Sequence, residues 1–176
     1  NDLTACHVQT IQLGSAPVPG EQYRYSWSPT TGLSNPNIPN PTLTVTNNSP
    51  QPQRLSYFVT KDTLAGGNIC GRVDEIIVNV PGRVANAGPD ALACSGVPFQ
   101  NAPQALSGYR YQWTALGAAP LSFISNPNIA SPTFTPVNNG TEPIRLRYVQ
   151  TATLIAPPNC SNADTVEITV APALAR

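Results

Sequence analysis

The chain holds 176 residues, with nine Lys and Arg against nine Asp and Glu, a formal net charge of zero and only 10% charged residues. This excludes the basic face of a nucleic-acid binder and the high net charge of a disordered polyelectrolyte. Twenty prolines, twelve glycines, no methionine and an abundance of Thr, Val, Asn and Ser point to short strands joined by turns rather than to helices.

In chain order, strands are expected near 8–13, 22–27, 42–46, 54–60 and 73–80. In the second of these, Tyr23, Tyr25 and Trp27 share one face of an extended chain, and Arg24 and Ser26 the other. Residues 28–41 are expected to form an ordered crossover loop between two sheets. Pro36, Pro39 and Pro41 remove ladder donors there, and Asn35-Pro36 and Asn40-Pro41 start turns. Ile38 is the apolar peg expected to hold that loop down. Ile76, Val78 and Val80 alternate as one buried face of the last strand.

The same series then recurs. Residues 34–42 read SNPNIPNPT and residues 125–133 read SNPNIASPT, an offset of 91 (125 against 34). Tyr23-Arg24-Tyr25-Ser26-Trp27 matches Tyr109-Arg110-Tyr111-Gln112-Trp113, and Arg54-Leu55-Ser56-Tyr57 matches Arg145-Leu146-Arg147-Tyr148. Cys70 with Asp74 matches Cys160 with Asp164, and Cys6 matches Cys94. Strands of the second copy are expected near 97–100, 108–113, 132–137, 144–151 and 163–170, with Ile129 as its peg and Val166, Ile168 and Val170 as its buried face. Trp113 precedes Ser125 by 12 residues where Trp27 precedes Ser34 by 7, so the second copy inserts five residues within 114–124. Two units follow, 1–82 and 83–176, each of a size that forms one small core. Connections without helices favour antiparallel pairing, so the expected fold is all-β, two tandem antiparallel β-sandwiches. Asp2 aligns with Asp90, but the Ala85-Asn86-Ala87-Gly88-Pro89 ahead of Asp90 has no counterpart ahead of Asp2. Val170-Ala171-Pro172 matches Val80-Pro81-Gly82, so the chain reads as an excerpt of a longer tandem array. The linker 81–84 is short and holds Pro81, which is expected to restrain adjacent units.

Four cysteines are present, Cys6, Cys70, Cys94 and Cys160, with no CxxC pair, and His7 is the only histidine. Zinc needs four close Cys or His ligands and is not expected. The even count in a charge-poor, strand-rich chain reads as two disulfides formed in an oxidising compartment. The near-equal spacings pair them as Cys6–Cys70 and Cys94–Cys160, one bridge within each unit. A reactive free thiol would need an activating base or helix terminus, and none is evident. No apolar run approaches the roughly 20 residues that cross a bilayer. No secretory signal stands at the N-terminus, so such a signal would lie outside this sequence or have been removed.

The stretches ANAGPDALACSG (85–96), YRYSWSPTTGLSNPNIPNPT (23–42), LSYFVT (55–60) and CSNADTVEITV (160–170) resemble PKD-like and Ig-like repeats of large surface proteins of Bacteroidetes. Gliding adhesins and proteins of the type 9 secretion system carry such arrays. The resemblance implies Ig-like/PKD-like sandwiches and an extracellular, cell-surface location. It also brings an Asp-Ser/Thr-apolar pattern of O-glycosylation, matched by Asp62-Thr63-Leu64 and Asp164-Thr165-Val166, with Thr63 and Thr165 as acceptors. The function it implies is a non-enzymatic structural module, a segment of an adhesin stalk or filament whose partners are neighbouring repeats of the same longer chain. Alternatives are a module that binds surface glycan or protein through the 114–124 loop, and an accessory domain of a secreted hydrolase.

Each candidate site has a structural reading beside the functional one. Tyr25, Tyr111, Trp27 and Trp113 make either a sugar-stacking platform or, as expected here, core, joined by Ile38 and Ile129. Asp74 and Asp164 make either calcium ligands with Asp2 and Asp90 or, as expected, side-chain acceptors that close the turn before the last strand. His7 lacks partners for acid–base work, and no pair of carboxylates converges, so no catalytic residue, cofactor or metal site is expected, and neither nucleic acid nor membrane insertion.

Overall fold

The computed structural model describes residues 2–17, 19–20, 23–63 and 71–173. The chain divides into two compact units, Asn1–Arg83 and Val84–Arg176. In unit 1 the strands are β1 (Leu3–Thr4), β2 (Gln9–Gln12), β3 (Tyr23–Ser28), β4 (Thr42–Val45), β5 (Gln53–Thr63) and β6 (Gly71–Val80). They form a four-stranded sheet in the order β1-β6-β5-β3, covered by the pair β2-β4. Unit 2 repeats the larger sheet with β7 (Ala91–Cys94), β8 (Tyr109–Leu116), β9 (Ile144–Leu154) and β10 (Ser161–Ala171), in the order β7-β10-β9-β8.

Two features differ from the sequence expectation. β1 and β7 each pair in parallel with the last strand of their unit, so neither sheet is purely antiparallel. The covering layer of unit 2 is also thinner. Where strands were expected at 97–100 and 132–137, only isolated bridges join Phe99 to Phe134 and Ile124 to Phe134. The cause lies in two substitutions between the copies. Pro136 stands where unit 1 has Val45, and Pro98 where it has Thr10, and proline donates nothing to a ladder.

Unit 2 compensates with aromatic bulk. Phe134 replaces Leu43 and is fully buried. Its ring centroid lies 5.3 Å from Trp113, 5.5 Å from Tyr148 and 5.6 Å from Phe99, within the range of favourable ring pairs. The alternating face of the last strand packs beneath: Val166, Ile168 and Val170 in unit 2, Val78 and Val80 in unit 1, with Ile76 half-buried. Among the described residues there is no α-helix, only one 3-10 turn at Leu121–Phe123 inside the inserted segment. Each unit is an Ig-like β-sandwich.

Candidate functional site

The repeated phrase is a clasp built from backbone. Trp27 and Trp113 end the one-sided stripe of their strands and are 2% and 1% exposed. Trp27 Nε1–H donates to the Ile38 carbonyl at 2.9 Å, and its backbone N–H to the Pro36 carbonyl at 2.9 Å. Trp113 repeats both bonds, to the Ile129 carbonyl at 2.9 Å and the Pro127 carbonyl at 2.7 Å. The Asn35 and Asn126 side chains each accept the N–H two residues on, at 2.9 Å. The Ser34 and Ser125 hydroxyls each accept the N–H of the threonine that closes the phrase, Thr42 or Thr133, at 3.0 Å. The loop entrance is tied by a tyrosine: Tyr57 Oη–H donates to the Thr31 carbonyl at 2.7 Å, Tyr148 Oη–H to the Pro120 carbonyl at 2.9 Å. Burial pushes the Tyr148 phenol up to about 12 and raises that of Tyr57.

This corrects the peg. Ile129 is 42% exposed, and Ile38 is only half-buried. The loop runs so that residue 38 or 129 turns its carbonyl toward the indole, which sends the side chain outward; in unit 2 the next residue, Ala130, is buried instead. Tyr111 is buried, whereas its counterpart Tyr25 is half-buried.

Sequence reasoning missed a second repeated device, a buried asparagine beside the exit of the last strand. Asn47 is fully buried; its Nδ2 donates to the carbonyls of Gln51 (2.9 Å), Val80 (3.2 Å) and Pro81 (3.2 Å), and its Oδ1 accepts the Ser49 N–H at 3.0 Å. Asn138, 2% exposed, donates to the carbonyls of Glu142 (2.9 Å) and Val170 (3.0 Å) and accepts the Gly140 N–H at 2.9 Å. The backbone N–H of Asn47 goes to His7 Nδ1 at 3.2 Å, and that of Asn138 to Ser95 Oγ at 2.9 Å, which gives the lone histidine a structural partner. The signal was present in Asn47-Asn48 and Asn138-Asn139, which recur at the same offset of 91 as the quoted phrase.

The cysteines depart from the expected pairing. Cys94 is an exposed free thiol, whereas Cys6 and Cys160 are each disulfide-bonded. Cys94 cannot reach Cys160 because it pairs in register with Ala171, at the end of β10, while Cys160 immediately precedes Ser161, at its start. Eleven strand residues separate those two ends, roughly 35 Å, against the ~4–7 Å between Cα atoms that a disulfide spans. The parallel first strand carries the early cysteine to the far end of the sheet, which a reading of spacing alone could not anticipate. The Cys6–Cys70 pairing falls on Cys70, outside the described residues.

The remaining candidates are dispersed. Asp164 lies inside β10 and accepts the Ala87 N–H on Oδ2 at 2.8 Å, so it fixes the segment entering unit 2 rather than a turn. Asp74 is exposed and accepts the Glu75 N–H at 3.0 Å. Asp90 accepts the Glu167 N–H at 2.8 Å. Among the described residues, no group of three or more His, Cys, Asp or Glu could hold a metal. Thr165 is exposed on β10; the side chain of Thr63 lies outside the described residues. A cavity of about 440 Å³ lies beneath the inserted segment, lined by Leu116, Ala119, Phe123, Val137, Ile144 and Arg147 among others. A second, of about 490 Å³, lies in unit 1 against Tyr25, Val59, Lys61, Arg72 and Asp74. Among the described residues, Phe58 is the one exposed aromatic.

No protein-family model matches the chain, and no curated protein sequence matches it. Solved structures do resemble it at low identity. Human protocadherin-24 EC1-2 aligns at a TM-score of 0.40 and 10% identity, over 98% of this chain and 95% of that one. DIP-gamma IG1+IG2 aligns at 0.43 and 10%, over 97% and 93%. A SusE-like surface-located polysaccharide-binding protein from the Bacteroides thetaiotaomicron heparin utilisation locus aligns at 0.39 and 13%, over 96% of this chain but only 33% of that one.

Proposed function

We propose that the chain is a non-enzymatic structural module, a two-repeat segment of an extracellular cell-surface adhesin stalk or filament whose partners are neighbouring repeats of the same longer chain. The observation that carries this reading is how the recurring polar residues are used. Ser34, Asn35, Trp27 and Asn47 and their counterparts Ser125, Asn126, Trp113 and Asn138 all bond backbone of their own unit. A recognition repeat would keep the polar groups of such residues free for a partner; a repeat selected for holding its shape spends them on its own backbone. The tie of the last strand to the 46–52 loop by Asn47 fits a unit that transmits tension along its terminal strands. Anchoring continues into the linker: Arg83 N–H donates to the Ser49 carbonyl at 2.9 Å, and Ala85 N–H to Asn162 Oδ1 at 2.7 Å. Thr165, exposed, is open to the O-glycosylation that the resemblance implies.

A second reading, a glycan- or protein-binding module, is favoured by the apolar cavity beneath residues 116–123. Stretching single molecules of the full chain under reducing conditions separates the two. A stalk segment gives two discrete unfolding events, each weakened by loss of its own buried asparagine. Yielding without resolved events, together with saturable binding of a surface glycan that Phe123→Ala abolishes, would establish the binding module instead.

A further inference from the structure

The inserted segment of unit 2 leaves one stretch of its sheet uncovered. β8 runs to Leu116, and Gly117, at a φ of +64°, turns the chain off the sheet. Leu116 pairs with Arg147, so Ile144, Arg145 and Leu146 lie beyond the end of β8 and pair only with β10. Two bonds at the outer edges fix where their backbone groups point. Glu167 N–H donates away from β9, to Asp90 Oδ1 at 2.8 Å. Glu167 and its ladder partner Arg147 therefore exchange no bonds, and Arg147 turns its N–H and C=O toward β8. Trp113 N–H donates to the Pro127 carbonyl on the far side of β8, which gives the same alternation from the other strand. Arg145, two residues before Arg147, points the same way, past the last residue of β8. Among the described residues nothing takes its backbone N–H or C=O.

This open edge is part of the wall of the 440 Å³ cavity, and the rest is largely apolar: Leu116, Ala119, Phe123, Val137, Ile144 and Leu146. Leu116 and Val137 are exposed, as is Leu121 in the turn above. The inserted segment is held in place. Tyr148 Oη–H donates to the Pro120 carbonyl at 2.9 Å, and the Phe123 carbonyl accepts the Thr135 N–H at 2.8 Å. The cavity is thus formed in advance, with a volume in the range of ligand pockets. Arg147 also lines it and is exposed. Glu167, opposite Arg147 in the ladder, gives its carboxylate to Arg145 at 2.8 Å instead. Among the described residues no carboxylate pairs with Arg147.

We infer that this cavity is a strand-addition site for an extended apolar peptide that carries a carboxylate. The peptide backbone meets the N–H and C=O of Arg145 and continues the ladder where β8 leaves it. An apolar side chain on its inward face enters the cavity, as the alternation of a strand allows. The carboxylate meets the guanidinium of Arg147. The inference deepens the second reading above, since it names the ligand that a site beneath residues 116–123 takes.

The test follows the amide signals of the full chain during titration with four probes: acetyl-Thr-Val-Thr-Val as the free acid, its C-terminal amide, acetyl-Thr-Val-Thr-Val-Asp amide, and octanoate. A peptide with a carboxylate should bind saturably, shift the amides of Leu116, Phe123 and Arg145, and slow exchange of the Arg145 N–H. The neutral amide should bind roughly tenfold more weakly, and Arg147→Gln, at an exposed position, should weaken the acid by the same factor. The tighter of the two acidic peptides identifies the carboxylate as terminal or side-chain. Lack of saturable binding by both acidic peptides, or equal affinity for wild type and Arg147→Gln, overturns the inference. So does octanoate binding as tightly as the peptides with no slowed exchange at Arg145, which marks a site for apolar acids. A surface glycan that shifts these amides when the peptides do not overturns the inference while keeping the binding-module reading.

Discussion

Replacing Asn47 by alanine probes what the repeated polar residues do. The side chain is fully buried and supplies a Nδ2 bond of 2.9 Å to Gln51, a shared pair of 3.2 Å to Val80 and Pro81, and an Oδ1 bond of 3.0 Å to Ser49. Counting the shared pair once gives three bonds at about 1 kcal/mol each. The carbonyl of Val80 lies in the interior, where an abandoned acceptor costs its own desolvation, so the expected loss is about 3–4 kcal/mol from unit 1. Against a net stability of about 5–15 kcal/mol for a domain, that is a large share. Urea denaturation followed by the amide signals of each unit measures it. With a slope near 1 kcal/mol/M for a unit of this size, the unit 1 midpoint should fall by about 3 M while unit 2 stays within about 0.5 M. Asn47→Asp, which keeps the acceptor but buries a charge in place of the donor, should be no milder. A unit 1 midpoint that moves by less than about 0.5 M would refute the reasoning.

Other outcomes follow from the same geometry. Ile129→Ala should change the stability of unit 2 by no more than about 0.5 kcal/mol, since its side chain is exposed, whereas Trp113→Ala should cost about 3–5 kcal/mol; thermal or urea unfolding distinguishes them. The Tyr148 phenol is pushed from its ordinary 10 to about 12, so the unfolded chain ionises first as pH rises. Stability contributed by the neutral buried phenol is complete below pH 10 and lost between about 10 and 12, by roughly 2–3 kcal/mol, and Tyr148→Phe should flatten that fall. Iodoacetamide applied to the native protein should alkylate Cys94 and leave Cys6 and Cys160 unmodified, read by peptide mass mapping; protection of Cys94 would contradict its placement.

Much of the fold was legible because it is written twice. Alternation along the strands and the recurrence of the series, at offsets from 86 (109 against 23) to 91 (145 against 54), located β3, β5, β6, β8, β9 and β10 to within a few residues. The inward tryptophans followed from a one-sided stripe. What escaped were consequences of three-dimensional direction. β1 and β7 are two and four residues long, too short for a pattern, yet they decide which end of the sheet Cys6 and Cys94 occupy. The apolar residue of the quoted phrase suggested a buried side chain, but the clasp uses the carbonyl of Ile38 or Ile129, which every residue type carries and no sequence pattern advertises. Asn47 and Asn138 are of a residue type common in surface turns, and only their burial reveals them as donors to the strand exit.

The central claim, that the repeated residues serve mechanical integrity, is tested most directly by stretching the full chain and its Asn138→Ala variant under reducing conditions. The wild type should show two unfolding events, each releasing roughly 300 Å of chain. Asn138→Ala should lower the force of one event and leave the other unchanged. Extension without resolved events, or two forces that the substitution leaves untouched, would contradict the account.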